Sequence, residues 1–115
     1  MNAEFGPFNA VFPEGHTHHH FMNGVYAKEL HIPRGFVLVS HRHRYDHLSI
    51  LASGEIWLTV EGATRTILGP RAITIRAGAE HTVRAITDAV WFCVHPTDET
   101  DIEKIDETLI EKDAV

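Results

Sequence analysis

The feature that most constrains this chain is a run of three histidines at fixed spacing. They lie in GFVLVSHRHRYDHLSILASG, residues 35–54, at His41, His43 and His47. Residues two apart in an extended strand project to the same face. His41 and His43 are therefore expected to point together, on the side of Val37 and Val39. His47 follows after Arg44, Tyr45 and Asp46, a gap that allows a kink before its ring turns back. A fourth histidine, His81, sits far off in GPRAITIRAGAEHTVRA. Neutral imidazole is the commonest protein ligand for metals. Convergence of such distant histidines on one point is what a metal site inside a β-barrel requires.

The glycines frame these histidines. Five residues separate Gly35 from His41, and six separate His47 from Gly54. Gly69 and Gly78 precede His81, the latter by two intervening residues. This pattern resembles the two cupin motifs. Where the family usually has Glu as third ligand, this chain has His47. The usual proline before the second glycine is replaced by Arg76, and the usual asparagine after the histidine by Ala85. The resemblance covers roughly residues 25–95. It implies an all-β, double-stranded β-helix (jelly-roll) barrel, with His41, His43, His47 and His81 as ligands of one divalent transition metal.

Four neutral imidazoles leave the full charge of the ion uncompensated, which favours an anionic ligand and lowers the pKa of bound water. Such a donor set suits Fe, Ni, Cu, Zn, Co or Mn rather than the oxygen-seeking Mg or Ca. All-His sites occur among cupin dioxygenases, so the resemblance implies a metal-dependent dioxygenase acting on a small chelating organic substrate. A related lyase or isomerase is the neighbouring possibility. The alternative is a non-catalytic cupin that binds a metal or small ligand as a sensor or interaction module, because fold does not fix function. Asp46 complicates the ligand set. A bulge near Tyr45 would let Asp46 ligate in place of His47, or support a ligand histidine by hydrogen bonding.

Composition narrows the partners. A length of 115 residues gives one domain. The net charge of −6 and the absence of a Lys/Arg cluster argue against nucleic-acid binding. The lone Cys93 excludes an internal disulfide. No secretory signal or membrane-length apolar run is visible, so a cytoplasmic protein is expected. A small-molecule ligand and a homodimer are the expected partners, since small barrels leave sheet edges to be covered.

The chain reads as an N-terminal arm (1–24), a barrel (25–96) and a C-terminal helix with tail (97–115). The arm is expected to be irregular up to Gly15. Its GHTHHHF stretch, if a strand, puts His16, His18 and His20 on one face and His19 on the other. That allows a second metal site; the simpler reading is a polar segment at the barrel mouth. Short strands with glycine-bearing turns follow from Val25 to His95. Trp57 and Trp91 are read as core, Cys93 as a buried small hydrophobe and Arg84 as exposed. Thr100-Asp-Ile-Glu103 is a capping-box pattern, with Thr100 as N-cap. Ile102, Ile105 and Leu109 then recur at helical spacing, predicting an amphipathic helix over 101–112 on the outside of the barrel. His16, His18, His19, His20, His31 and His95 are not required for the ion.

Overall fold

A computed structural model describes residues 2–5, 12–40 and 45–109, with side chains for 12–39 and 45–105. Among the described residues there are ten strands and one helix. The strands are β1 (Asn2–Phe5), β2 (Thr17–Met22), β3 (Val25–Ile32), β4 (Val37–Ser40) and β5 (His47–Ser53). They continue with β6 (Glu55–Val60), β7 (Ala63–Leu68), β8 (Arg71–Ile75), β9 (His81–Ala85) and β10 (Ala89–Pro96). The helix α1 spans Ile102–Leu109.

The strands form two five-stranded antiparallel sheets, ordered β1-β4-β9-β6-β7 and β2-β3-β10-β5-β8. Successive strands from β3 to β6 alternate between the sheets in the jelly-roll manner. Alternation supplies the core. Tyr26, Lys28, Leu30 and Ile32 of β3 face inward, as do Ala89, Trp91, Cys93 and His95 of β10. From the other sheet come Leu38, Ile56, Leu58, Ile67, Val83 and Ala85. One end of the barrel is thus apolar, built on Trp91, Leu51 and Ile56. The other end holds the buried polar groups.

Two strands come from the segment read as an arm. β1 pairs with β4 and β2 with β3, each as the outermost strand of its sheet. Residues 2–5 are therefore extended and hydrogen-bonded rather than irregular. Their alternation (Asn2, Ala3, Glu4, Phe5) is too short to read as a strand, and pairing with β4 places them. Trp57 also departs from expectation. It is 45% exposed, on the outward face of β6, with the Arg84 guanidinium 5.7 Å from its ring centroid. Trp91 is fully buried, its Nε1–H directed at Cys93 Sγ at 3.2 Å.

The helix differs from expectation in cap and in placement. Asp101, not Thr100, caps it, its Oδ1 accepting the Glu103 N–H at 2.9 Å. Ile105 is buried against Tyr26 and Phe21, which lie on the inward face of β3 and β2. The helix therefore covers an end of the barrel instead of lying on its outside. Apolar area at that end is what Ile105 can bury. Residues 110–112 of the expected helix lie outside the described residues.

Gly54 shows why a glycine closes the first motif. Its φ is +95°, and a Cβ there would stand 2.4 Å from the Asp88 carbonyl oxygen. The β5–β6 turn is pressed against the turn that starts β10, and no side chain fits between them.

Candidate metal centre

Two of the four expected ligands meet inside the barrel. His47 begins β5 in one sheet and His81 begins β9 in the other. Both are inward positions of alternating strands: His47, Ser49 and Leu51 on β5, and His81, Val83 and Ala85 on β9. Facing each other across the sandwich, the two rings have centroids 5.8 Å apart. The turn before β9 is fixed by Gly78, at φ +76°, and by Asp46, whose Oδ1 accepts the Ala77 N–H at 2.7 Å. Asp46 is exposed and committed to that turn while the neighbouring His47 is buried. The hydrogen bond ties the entry of His47 to the entry of His81.

His95 joins them, although the sequence pattern does not require it for the ion. It lies on the inward face of β10, between β3 and β5, and stacks on His47 with centroids 4.5 Å apart. Tyr26 stacks on its other side at 6.3 Å, and His19 Nδ1 is hydrogen-bonded to the Tyr26 hydroxyl at 2.7 Å. Lys28 is also buried, next to Tyr26 in the inward alternation of β3. The signal for both was present. The Trp91–Cys93–His95 and Tyr26–Lys28–Leu30 alternations each carry one polar group on an apolar face.

Burial decides the protonation of this layer. Desolvation lowers the His81 pKa from 6.5 to about 4, against a hydrogen bond to the Ala79 backbone that pulls it up. Desolvation also lowers His95 to about 4, reinforced by the charges of His81 and Lys28. His47 lies between the other two rings, stacked on His95 and 5.8 Å from His81. Neutral imidazole is the form that ligates a transition metal, although the donor atoms of His47, His81 and His95 do not by themselves converge within 4.8 Å of one another. Among the described residues, no carboxylate is buried to offset such an ion.

His41 and His43 lie outside the described residues. β4 ends at Ser40, the register partner of His81, and β5 opens at His47. Within β4 the core residue is Leu38, paired with Val83, while Val37 and Val39 are half-buried on the opposite face. The interior side of β4 is thus that of Leu38.

A cleft of about 540 Å³ opens where the edge strands β7 and β8 face each other. Val60 and Ile75 are in its wall, and they are the register partners of His81 and His47. Arg65 and Arg76 bring positive charge to its lining.

Comparison with solved structures identifies the architecture. The chain resembles an RmlC-like cupin with a double-stranded β-helix from Methanocaldococcus jannaschii, at 17% identity and a TM-score of 0.58 over 84% of this chain and 81% of that one. The chain has the cupin fold. A cupin-2 domain protein from Shewanella frigidimarina is similar at 17% identity and a TM-score of 0.60, over 73% and 82% of the two chains. The cupin domain of Schizosaccharomyces pombe Cnp3 matches over 98% and 96%, at 16% identity and a TM-score of 0.62. No protein-family model matches the sequence, and neither does any curated protein. No helix among the described residues is long and apolar enough to cross a membrane.

Proposed function

We propose that this cupin holds one divalent transition metal through His41, His43, His47 and His81, and that the ion receives a small chelating organic acid. One observation carries this reading. His47 and His81, from different sheets, are buried with rings 5.8 Å apart. When bound, the ion supplies Lewis acidity and, if redox-active, a route to oxygen chemistry; a dioxygenase is the enzymatic form of this reading. The protein's own residues do the rest. The β7–β8 cleft is lined by the register partners of both histidines, and its Arg65 and Arg76 outnumber its one acidic residue, Glu61, which leaves a net positive lining for an anion.

A specific observation favours the second reading, a non-catalytic cupin that binds the same ligand as a sensor. General acid–base chemistry needs a titratable group within reach of the substrate. The sequence neighbours of the ligands that would serve, Tyr45, Asp46 and Glu80, are all exposed, and Asp46 is engaged with Ala77.

The deciding experiment has two stages. Elemental analysis of the protein as purified should give about one transition-metal equivalent, lost in His81→Ala. Oxygen consumption is then measured with a panel of small chelating acids and diols. Binding without consumption selects the sensor; no metal and no ligand binding removes both readings. A homodimer through exposed sheet edges belongs to the same proposal. Met22, 73% exposed at the end of outer strand β2, supports it. Sedimentation showing only monomer at micromolar concentration would remove it.

A further inference from the structure

The outward face of β2 and β3 carries a second convergence of donor groups, on the other side of the sheet from His95 and Lys28. His18 of β2 is the cross-strand register partner of Glu29 of β3. His31 lies two residues further along β3, on the same face as Glu29. One ligand atom from each of His18, Glu29 and His31 falls within 4.8 Å of the others. The His18 ring meets the His31 ring edge-on, with centroids 5.6 Å apart.

This group is held in place. Glu29 Oε2 accepts a hydrogen bond from His31 Nε2 at 2.5 Å, and Glu29 Oε1 accepts one from His20 Nε2 at 2.8 Å. The backbone of His31 is clamped to residue 16, its N–H donating to the His16 carbonyl at 2.9 Å. Its own carbonyl accepts from His16 Nδ1 at 2.8 Å. These hydrogen bonds keep Glu29 below the usual carboxylate range, so it is an anion at neutral pH. His18 is exposed and the other two are half-buried, which leaves one side of the group open to water.

We propose that His18, Glu29 and His31 form a surface site for a borderline divalent d-block cation, of which Zn(II) is the probe. Two imidazoles and one carboxylate are a donor set such ions accept, and hard Mg or Ca would not choose it. The ion replaces the proton between His31 and Glu29, and water completes its coordination. His20 stays on the other carboxylate oxygen and orients it, as partners of ligating groups do. The carboxylate also distinguishes this site from the interior one, whose histidines have no buried carboxylate among the described residues.

Zn(II) is titrated at pH 7.5 into protein freed of metal, with the histidine ring resonances followed by NMR and bound metal counted after dialysis. The expected result is saturable change at His18 and His31. His18→Ala/His31→Ala should bind one equivalent less than the unaltered protein, whatever the interior holds. Glu29→Gln, which preserves shape, should weaken this equivalent at least tenfold, and His20→Ala roughly tenfold. Thermal melting of each variant checks that the fold is kept. Ring signals of His18 and His31 unmoved at millimolar Zn(II), or an unchanged equivalent count in the double variant, would overturn the site.

Discussion

Lys28 and Glu29 are adjacent in the chain and end in opposite environments. Lys28 points into the barrel, toward a row of histidines drawn from both sheets: His95, His47 and His81. Glu29 points outward and gathers His18, His20 and His31 from β2 and β3. The same side chain, imidazole, is used in both places with different physics. Inside, desolvation strips the proton and the rings pack as aromatics. Outside, a carboxylate organises the rings by hydrogen bonding. Alternation along one strand is enough to build two sites of different chemistry back to back.

Acid separates the two clusters most strongly. In the metal-free protein, His81 and His95 have folded-state pKa values of about 4 against an ordinary 6.5. The unfolded chain therefore takes up protons before the folded one, and stability falls as pH drops from 6.5 toward 4. With each pKa unit worth about 1.4 kcal/mol, the combined loss is on the order of several kcal/mol. Glu29, lowered from 4.5, contributes stability present above 4.5 and lost only below it. As a surface group it contributes at most about 1 kcal/mol. Urea unfolding of metal-free protein from pH 7.5 to pH 3.5 checks the order of the two losses. A flat profile between pH 7 and pH 5 would contradict neutral buried histidines.

Truncation should separate the clusters next. His95 is 1% exposed and stacked between Tyr26 and His47. His95→Ala leaves a cavity and should cost about 2–4 kcal/mol, as for other large buried side chains. His18→Ala, on the exposed side, should cost less than about 0.5 kcal/mol. Equal costs in urea denaturation would mean that the inner row is not packed as described.

How much of this could be read in the sequence follows the same division. The glycine frame and the alternation of the later strands were legible, because a half-buried strand must alternate. His47 and His81 were expected inside the barrel from the resemblance to the cupin motifs, since apolar alternation alone would turn Leu48 and Ile50 inward instead of His47, Ser49 and Leu51. β1 was not legible, since the alternation of Asn2, Ala3, Glu4 and Phe5 is only four residues long and the segment is held by pairing with β4. The helix placement was missed because amphipathicity shows that a face is buried, not which surface receives it. The outer cluster was half legible. Alternation grouped His16, His18 and His20, but only the pairing of β2 with β3 brings in Glu29 and His31.

Charge at the inner row offers a finer test. His47→Glu installs the family's usual third ligand and removes about one unit of positive charge from the proposed site. Metal should still bind, with altered preference and with anion affinity lowered roughly tenfold, a change of about 1.4 kcal/mol. Chelator should lower the melting temperature of the metal-loaded protein at pH 7.5, and less so toward pH 5, as protons displace the ion. If His47→Ala binds the interior metal normally, His47 is not a ligand and its burial serves packing.

The smallest effect is expected at His20. Its ring is 56% exposed and its bond to Glu29 Oε1 is one of two that the carboxylate accepts. An exposed pair of this kind gains little in water and loses side-chain freedom, for a net of about 0–1 kcal/mol. His20→Ala leaves Glu29 bonded to His31 and opens no cavity, so the melting temperature should hardly change. What should change is Glu29 itself. One of the two hydrogen bonds that lower its pKa is gone, so its carboxyl should titrate closer to the ordinary value. Side-chain carboxyl NMR shifts followed from pH 6 to pH 2.5 would register this. A Glu29 titration unmoved by His20→Ala would show that His31 alone holds the carboxylate, and the outer cluster would then shrink to three groups.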